Sequence, residues 1–307
     1  MIYNLRHRTT YRYESAVTFA WCVLRLSPQS STVQTVLANA IAITPRPSRS
    51  IERTGPFGEL MLTVMVDQPH RKLIIEAKSR VDVYAPPFAP PADSPAWETV
   101  RECSFEIGSL DSDSPAAYLY PTARTPILPA ITDYARLSFS KSRPIVEAAA
   151  ELMTRIRADF TYDADATNVR TLPGEAFAVR RGVCQDFTHI MISGLRGLGL
   201  PAAYVSGYLR TVPPPGRPRL EGCDATHAWV SLWCGKERGW IGFDPTNATL
   251  VQDDHITLAI GRDYADVAPI DGVMLAPGEQ ALKVEVDVVP EHELGLVRPA
   301  FAATSAS

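Results

Sequence analysis

Arg181-Gly182-Val183-Cys184-Gln185-Asp186-Phe187 is the stretch on which the reading of this chain turns. Gly182 permits a sharp change of backbone direction, and no proline follows Cys184 until Pro201. Phe187, Met191, Leu195 and Leu198 recur at helical spacing, and Gly199 with Pro201 ends the run. The pattern predicts a helix that starts at or just before Cys184 and carries the thiol in its first turn. The unpaired N–H groups and the dipole at a helix start favour an anion there, and the anion is the nucleophilic form of cysteine.

Two further stretches complete a chemical proposal. Asp224-Ala225-Thr226-His227-Ala228-Trp229 and Gly239-Trp240-Ile241-Gly242-Phe243-Asp244-Pro245-Thr246 both read as strands. His227 and Asp244 lie 17 residues apart, a separation that suits neighbouring strands joined by a turn over 234–239. Cys184 as nucleophile, His227 as acid–base and Asp244 as the group orienting the imidazole are the parts of a nucleophilic triad. The 43 residues between Cys184 and His227 leave the sulfur unplaced by spacing alone.

These blocks, together with Tyr204-Val205-Ser206-Gly207-Tyr208-Leu209, Thr9-Thr10-Tyr11-Arg12-Tyr13 and Gly261-Arg262-Asp263-Tyr264-Ala265-Asp266-Val267, resemble the transglutaminase-like superfamily. The likeness is to its bacterial branch, whose members are commonly described as candidate cysteine proteases. The resemblance implies a papain-like triad of Cys184, His227 and Asp244. It also implies an α+β fold: a β-rich, sandwich-like N-terminal domain, then a core in which the nucleophile helix packs on an antiparallel sheet. The implied chemistry is amide hydrolysis or acyl transfer through a thioester, on a peptide or protein amide, with no cofactor and no metal. Water as acceptor makes a peptidase or amidase, and an amine makes a transglutaminase. A scaffold with an idle triad is the alternative from another class. The chain departs from the family at Phe57-Gly58-Glu59, where Phe-Gly-Asn is common, and at Thr188, where Ala is usual.

The organisation agrees with two domains. Ile75, Ala77, Val81 and Val83 alternate with Glu76, Lys78, Arg80 and Asp82, the period of a half-buried strand. Leu37, Ile41 and Ile43 share one face of an earlier strand, and residues 60–66 form another. Residues 1–84 are therefore assigned to a β-rich domain, 85–140 to a proline-rich connector, 141–290 to the catalytic core with a last strand near 282–288, and 291–307 to a loose tail. A helix starts near Pro144, with Ile145, Ala149, Leu152, Met153 and Ile156 on one face. Of 307 residues, 46% are hydrophobic and 21% charged, and the formal net charge is −4, which offers nucleic acid or an anionic membrane no basic surface. Five cysteines without paired spacing suit a reducing compartment. With no apolar run near Met1 and no long apolar span elsewhere, a cytoplasmic location is the expectation.

The remaining candidates carry a bland reading beside the sharp one. Cys22, Cys103 and Cys234 read as packing residues, and Cys223, four before His227, reads as packing or cleft lining. Cys184, His189, Cys223 and His227 could form a zinc site, but Asp244 would then have no role. His189 reads as a structural hydrogen-bonding group. Asp186 reads as a helix-start carboxylate that reaches His189 or the strand of His227. Tyr162 is a candidate oxyanion donor, Gln185 a candidate cleft residue beside the nucleophile, and Trp229 a cleft wall or core residue, as are Trp233 and Trp240.

Overall fold

A computed structural model describes residues 1–84, 89–109, 111–211, 224–275 and 278–294. Its first six strands are β1 (Ile2–Val17), β2 (Phe19–Leu24), β3 (Gln34–Thr44), β4 (Arg49–Thr54), β5 (Leu60–Val66) and β6 (His70–Val83). The alternation read at 75–83 is real: Ile75, Ala77, Val81 and Val83 are all buried while Lys78 between them is exposed. In β3, Ile41 and Ile43 turn inward but Leu37 is 44% exposed. The cause is a register shift between Val36 and Ala38 against β6, a bulge that removes Leu37 from the two-residue alternation.

The core follows: α1 (Trp97–Phe105), α2 (Pro129–Arg136), α3 (Ile145–Asp159), β7 (Thr161–Tyr162), α4 (Pro173–Val179), β8 (Arg181–Gly182), α5 (Cys184–Gly197), β9 (Ala202–Leu209), β10 (Ala225–Trp233), β11 (Trp240–Asp244), β12 (Thr249–Leu250), β13 (His255–Gly261) and α6 (Tyr264–Val267). Five strands form one antiparallel sheet in the order β12-β11-β10-β9-β13. The sequence predicts one apolar stripe on α5, yet every residue from Gln185 to Arg196 is buried. The second cover is α2, which lies within the segment read as a connector. That segment also holds α1, and Trp97, Val100, Ile131 and Ala135 of these two helices join the same apolar cluster as Phe187, Met191 and Leu195.

The last two strands, β14 (Ile270–Leu275) and β15 (Gln280–Pro290), differ from the sequence reading. The run near 282–288, assigned there to the catalytic core, pairs with β1 from Tyr3↔Pro290 to Tyr13↔Gln280. The two sandwich sheets are thus β15-β1-β6-β3 and β14-β2-β5-β4. Between them pack Val17, Leu24, Val64, Val66, Leu73 and Ile75. An alternating pattern specifies a half-buried strand but not its partner, so only the fold reveals this return. Residues beyond 294, including the expected tail, lie outside the described residues.

Sandwich and core share a third apolar cluster, in which Tyr3, Leu5 and Val81 meet Tyr208, Ile256 and Leu258, with Val286 and Val288 of β15. Polar groups cross the same seam. The Tyr3 hydroxyl donates to Asp254 Oδ1 at 2.8 Å, and the Gln34 amide donates to Thr257 O at 2.8 Å and accepts its N–H at 2.9 Å. His7 bonds the Tyr208 hydroxyl at 2.9 Å, and burial pushes its imidazole down to about 4, so it is neutral at ordinary pH. Because Ile256 is fully buried in this seam, Ile256→Ala should cost about 2–5 kcal/mol. Urea unfolding followed by far-UV circular dichroism and by tryptophan fluorescence should still show one coincident transition, and two separated transitions would mean that the domains unfold independently.

Candidate active site

The entry to the helix that carries the candidate nucleophile is built by a short parallel pairing. β7 and β8 match Thr161 with Arg181 and Tyr162 with Gly182, and Asp163 N–H bonds Gly182 O at 2.9 Å. This aligns Tyr162 with the entry to α5. Asp186, in the helix's first turn, accepts the Val183 N–H at 2.8 Å and the Thr167 hydroxyl at 2.6 Å. It therefore caps the helix and ties down the 163–172 loop, and it reaches neither His189 nor the strand of His227. A Cβ on Gly182 would lie 2.5 Å from Asp186 Oδ2, so this capping requires glycine there. Burial holds the Asp186 carboxyl above its ordinary range despite these two bonds.

α5 begins at Cys184, as the sequence predicts, and the thiol is half-buried. His227 on β10 lies close enough for the Cys184 thiol to act on the charge of its imidazole. His227 Nε2 lies 2.8 Å from Asp244 Oδ2, which leaves Nδ1 for the sulfur. Burial pulls the imidazole down, but the bonds to Asp244 and then Cys184, with the charges of both, outweigh it and push His227 up to about 10.

Asp244 ends β11 and is fully buried. Its Oδ1 accepts the N–H groups of Thr246 at 2.9 Å and Asn247 at 3.2 Å. Its Oδ2 takes the Asn247 side-chain amide at 2.7 Å as well as His227. A third partner on Oδ2 is His255, at 3.3 Å. Gln252 N–H donates to His255 Nδ1 at 3.4 Å, so the proton sits on Nε2 and points at the carboxylate. Burial alone would raise Asp244, and the bonds from His227, His255 and Asn247 reverse this and hold it well below the usual carboxylate range.

His255 is absent from the sequence reading. It stands at the start of β13, just before the buried Ile256 and only six residues ahead of the family-like stretch at Gly261. That adjacency is the signal that could have drawn attention to it. Donor atoms of His227, Asp244 and His255 all lie within 4.8 Å of one another. A divalent cation could use this trio only by displacing the imidazole protons now held by Asp244.

The other candidates sort clearly. Trp229 is 2% exposed, so it is not an open cleft wall. Gly207 pairs with His227 across β9 and β10, and a Cβ there would lie 2.4 Å from the Trp229 ring. The indole fills that space and braces His255, with ring centroids 5.2 Å apart. Trp233 is buried in the main cluster, and Trp240 donates to Asp113 O at 2.9 Å. Tyr162 is 56% exposed, and its phenol is raised by partial burial and then by the neighbouring Cys184 charge. The Gln185 amide donates to Val169 O at 3.3 Å. His189 Nε2 accepts the Tyr264 N–H at 3.2 Å, and burial followed by the charges of Arg124 and Arg196 pushes it down to about 3. With that lone pair engaged, His189 is a structural group and no zinc ligand. Cys223 lies outside the described residues.

A sandwich followed by a helix-borne cysteine facing a His–Asp pair on an antiparallel sheet defines the transglutaminase-like class. Residues 3–82 match the bacterial transglutaminase-like N-terminal region, and residues 133–245 match the transglutaminase-like superfamily. The chain belongs to this bacterial transglutaminase-like family. An uncharacterized protein of Mycobacterium tuberculosis is 42% identical over 94% of this chain and 92% of its own. One of Mycobacterium leprae is 31% identical over 92% and 96%. The crystal structure of a candidate cysteine protease from Cytophaga hutchinsonii superposes with a TM-score of 0.69 at 20% identity, covering 94% of this chain and 91% of that one, and shows the same fold.

The linked ionisations have a definite sign. His227 is raised, so its contribution to stability is complete below about 6.5 and is lost as pH rises through about 10. Asp244 is lowered, so its contribution is present above its ordinary value of about 3.8 and is lost as pH falls through its lower folded value. An NMR titration should find the His227 ring protonated through neutrality with a midpoint near 10. Asp244→Asn and Cys184→Ala should each move that midpoint down. A midpoint near 6.5 in the native chain would contradict the arrangement.

Proposed function

We propose that this protein is a thiol-dependent amide hydrolase that works through a Cys184-His227-Asp244 triad. The observation that carries the reading is a half-buried thiol at the first turn of α5 that acts on the charge of the His227 imidazole, whose Nε2 is fixed 2.8 Å from a fully buried carboxylate. Membership of the transglutaminase-like superfamily supports a thiol-dependent enzyme.

The steps follow from the groups present. The Cys184 sulfur, its proton held on His227, attacks the amide carbonyl carbon, and the π electrons move to oxygen. In this reading the free N–H groups at the start of α5 receive the developing oxyanion, and the Tyr162 phenol, which the Cys184 charge reaches, is the candidate second donor. The tetrahedral adduct collapses, His227 protonates the departing amine and a thioester remains. Water then gives a proton to His227 and attacks the thioester, releasing a carboxylic acid and restoring the thiol. Asp244 keeps the imidazole in one tautomer and orientation throughout and stabilises its charge.

A mass-spectrometric screen of peptides, with and without an added primary amine, tests this directly. Cleavage or loss of ammonia is the expected outcome, and amine-dependent cross-linking alone would instead make the chain a transglutaminase. Cys184→Ala should abolish turnover with the fold intact, and Asp244→Asn should slow it by roughly two to four orders of magnitude. Normal amide turnover by Cys184→Ala would sink the mechanism. Iodoacetamide should label Cys184 ahead of Cys22 and Cys234, both of which burial raises. His227→Ala should remove that preference, whereas all five cysteines reacting alike in the native chain would favour an idle scaffold.

A further inference from the structure

The mechanism leaves one cation beside the nucleophile without a task. Arg124 sits in a turn closed by the Thr122 N–H on Thr125 O at 3.4 Å and by the two threonine hydroxyls at 2.8 Å. Thr125 is fully buried and its hydroxyl takes the Arg196 Nη1 at 2.8 Å, so the backbone carrying Arg124 is pinned to α5. The Arg124 side chain is tied to the residue that follows the thiol. Its Nη1 donates to Val169 O at 2.5 Å, and the same carbonyl accepts the amide of Gln185, the residue after Cys184. Its guanidinium carbon stands 5.9 Å from the centroid of the Tyr264 ring. The Tyr264 phenol is raised chiefly by burial, lowered by Arg124 and raised again by Cys184, so it senses both groups.

Arg124 is half-buried as a residue with its guanidinium bond at the exposed surface, and among the described residues it has no carboxylate in ion-pair range. The nearby acids are engaged elsewhere. Asp163 faces Arg181 at 3.8 Å, Asp266 holds Arg262 at 2.8 Å, Asp186 caps α5, and Asp263 accepts the Ala265 N–H at 2.7 Å. Arg124 Nη2 and Nε make no hydrogen bond among the described residues, so one planar edge of the fork remains open. An anchored arginine with an open edge is the arrangement that recognises a carboxylate through two parallel hydrogen bonds.

We infer that Arg124 selects amide substrates bearing a carboxylate close to the scissile bond, with Gln185 and Tyr264 shaping the same subsite. This rests on Cys184 being the acylated nucleophile. The carboxylate could belong to an acidic side chain or to a chain terminus, and the chemistry at Arg124 is the same for both.

Two small electrophiles test the subsite without knowledge of the natural substrate. Iodoacetate and iodoacetamide differ in carrying a carboxylate or a neutral amide, and mass spectrometry of the full chain reads their rates at Cys184. The iodoacetate-to-iodoacetamide rate ratio should fall about two- to fivefold in Arg124→Gln, the worth of one solvent-screened charge pair, with Arg124→Lys intermediate. An unchanged ratio in both variants would overturn the proposal. Should either variant fail to fold, protection of the native chain decides. Slower iodoacetamide labelling in acetyl-glutamate amide but not acetyl-glutamine amide places the carboxylate on a side chain, and slowing by acetyl-glutamine with a free terminus places it at a chain end. Protection by neither would also overturn the subsite. If neither reagent selects Cys184 over the other cysteines, the triad reading fails rather than the subsite.

Discussion

The structure is organised around one buried charge. Asp244 has no exposed surface and receives five hydrogen bonds, from the backbone of Thr246 and Asn247 and the side chains of Asn247, His227 and His255. A carboxylate at such a depth is stable only if every partner is present, and loss of one partner from a buried pair costs about 3–5 kcal/mol. The partners come from β10, from β13 and from the turn after β11. The requirement to satisfy Asp244 therefore fixes the relative placement of those elements, and with it the orientation of the His227 ring.

The N-terminal sandwich takes part in that arrangement. Tyr3 grips Asp254 and Gln34 grips Thr257, on either side of His255. The turn joining β4 to β5 makes a second approach, where the Phe57 ring lies 5.6 Å from Tyr118 and beneath the Arg262 guanidinium at 5.4 Å. Glu59, one of the departures from the family pattern, is buried and accepts the Phe57 N–H at 3.0 Å, so it shapes the tip that docks. The sandwich thus braces the strand behind the Asp244 network, and a change in its seam would be felt at His255 first.

Local chemistry was readable and long-range pairing was not. A glycine before Cys184, an apolar repeat after it and no intervening proline were enough to place the helix start, because these act within one or two turns. The alternation at 75–83 was enough to say which side chains of β6 face inward. His255 escaped because a histidine before an apolar strand looks like many surface residues until β13 lies beside β9. α1 and α2 escaped because flanking prolines dominate their segment, although Pro129 itself opens α2 at a position where proline is well tolerated. The Cys184–His227 meeting came from family likeness alone, since spacing cannot carry a contact across 43 residues.

The return of β14 and β15 to the first domain makes the catalytic core an insertion within a discontinuous sandwich. β1 and β2 leave the ribosome before the core, while the strands that cover their edges follow about 250 or more residues later. A nascent chain therefore holds two bare sheet edges for most of its synthesis, and unpaired edges are where growing chains misassociate. The core, whose contacts are more local, has the opportunity to fold while those edges still wait, so the order of assembly runs against the order of the sequence.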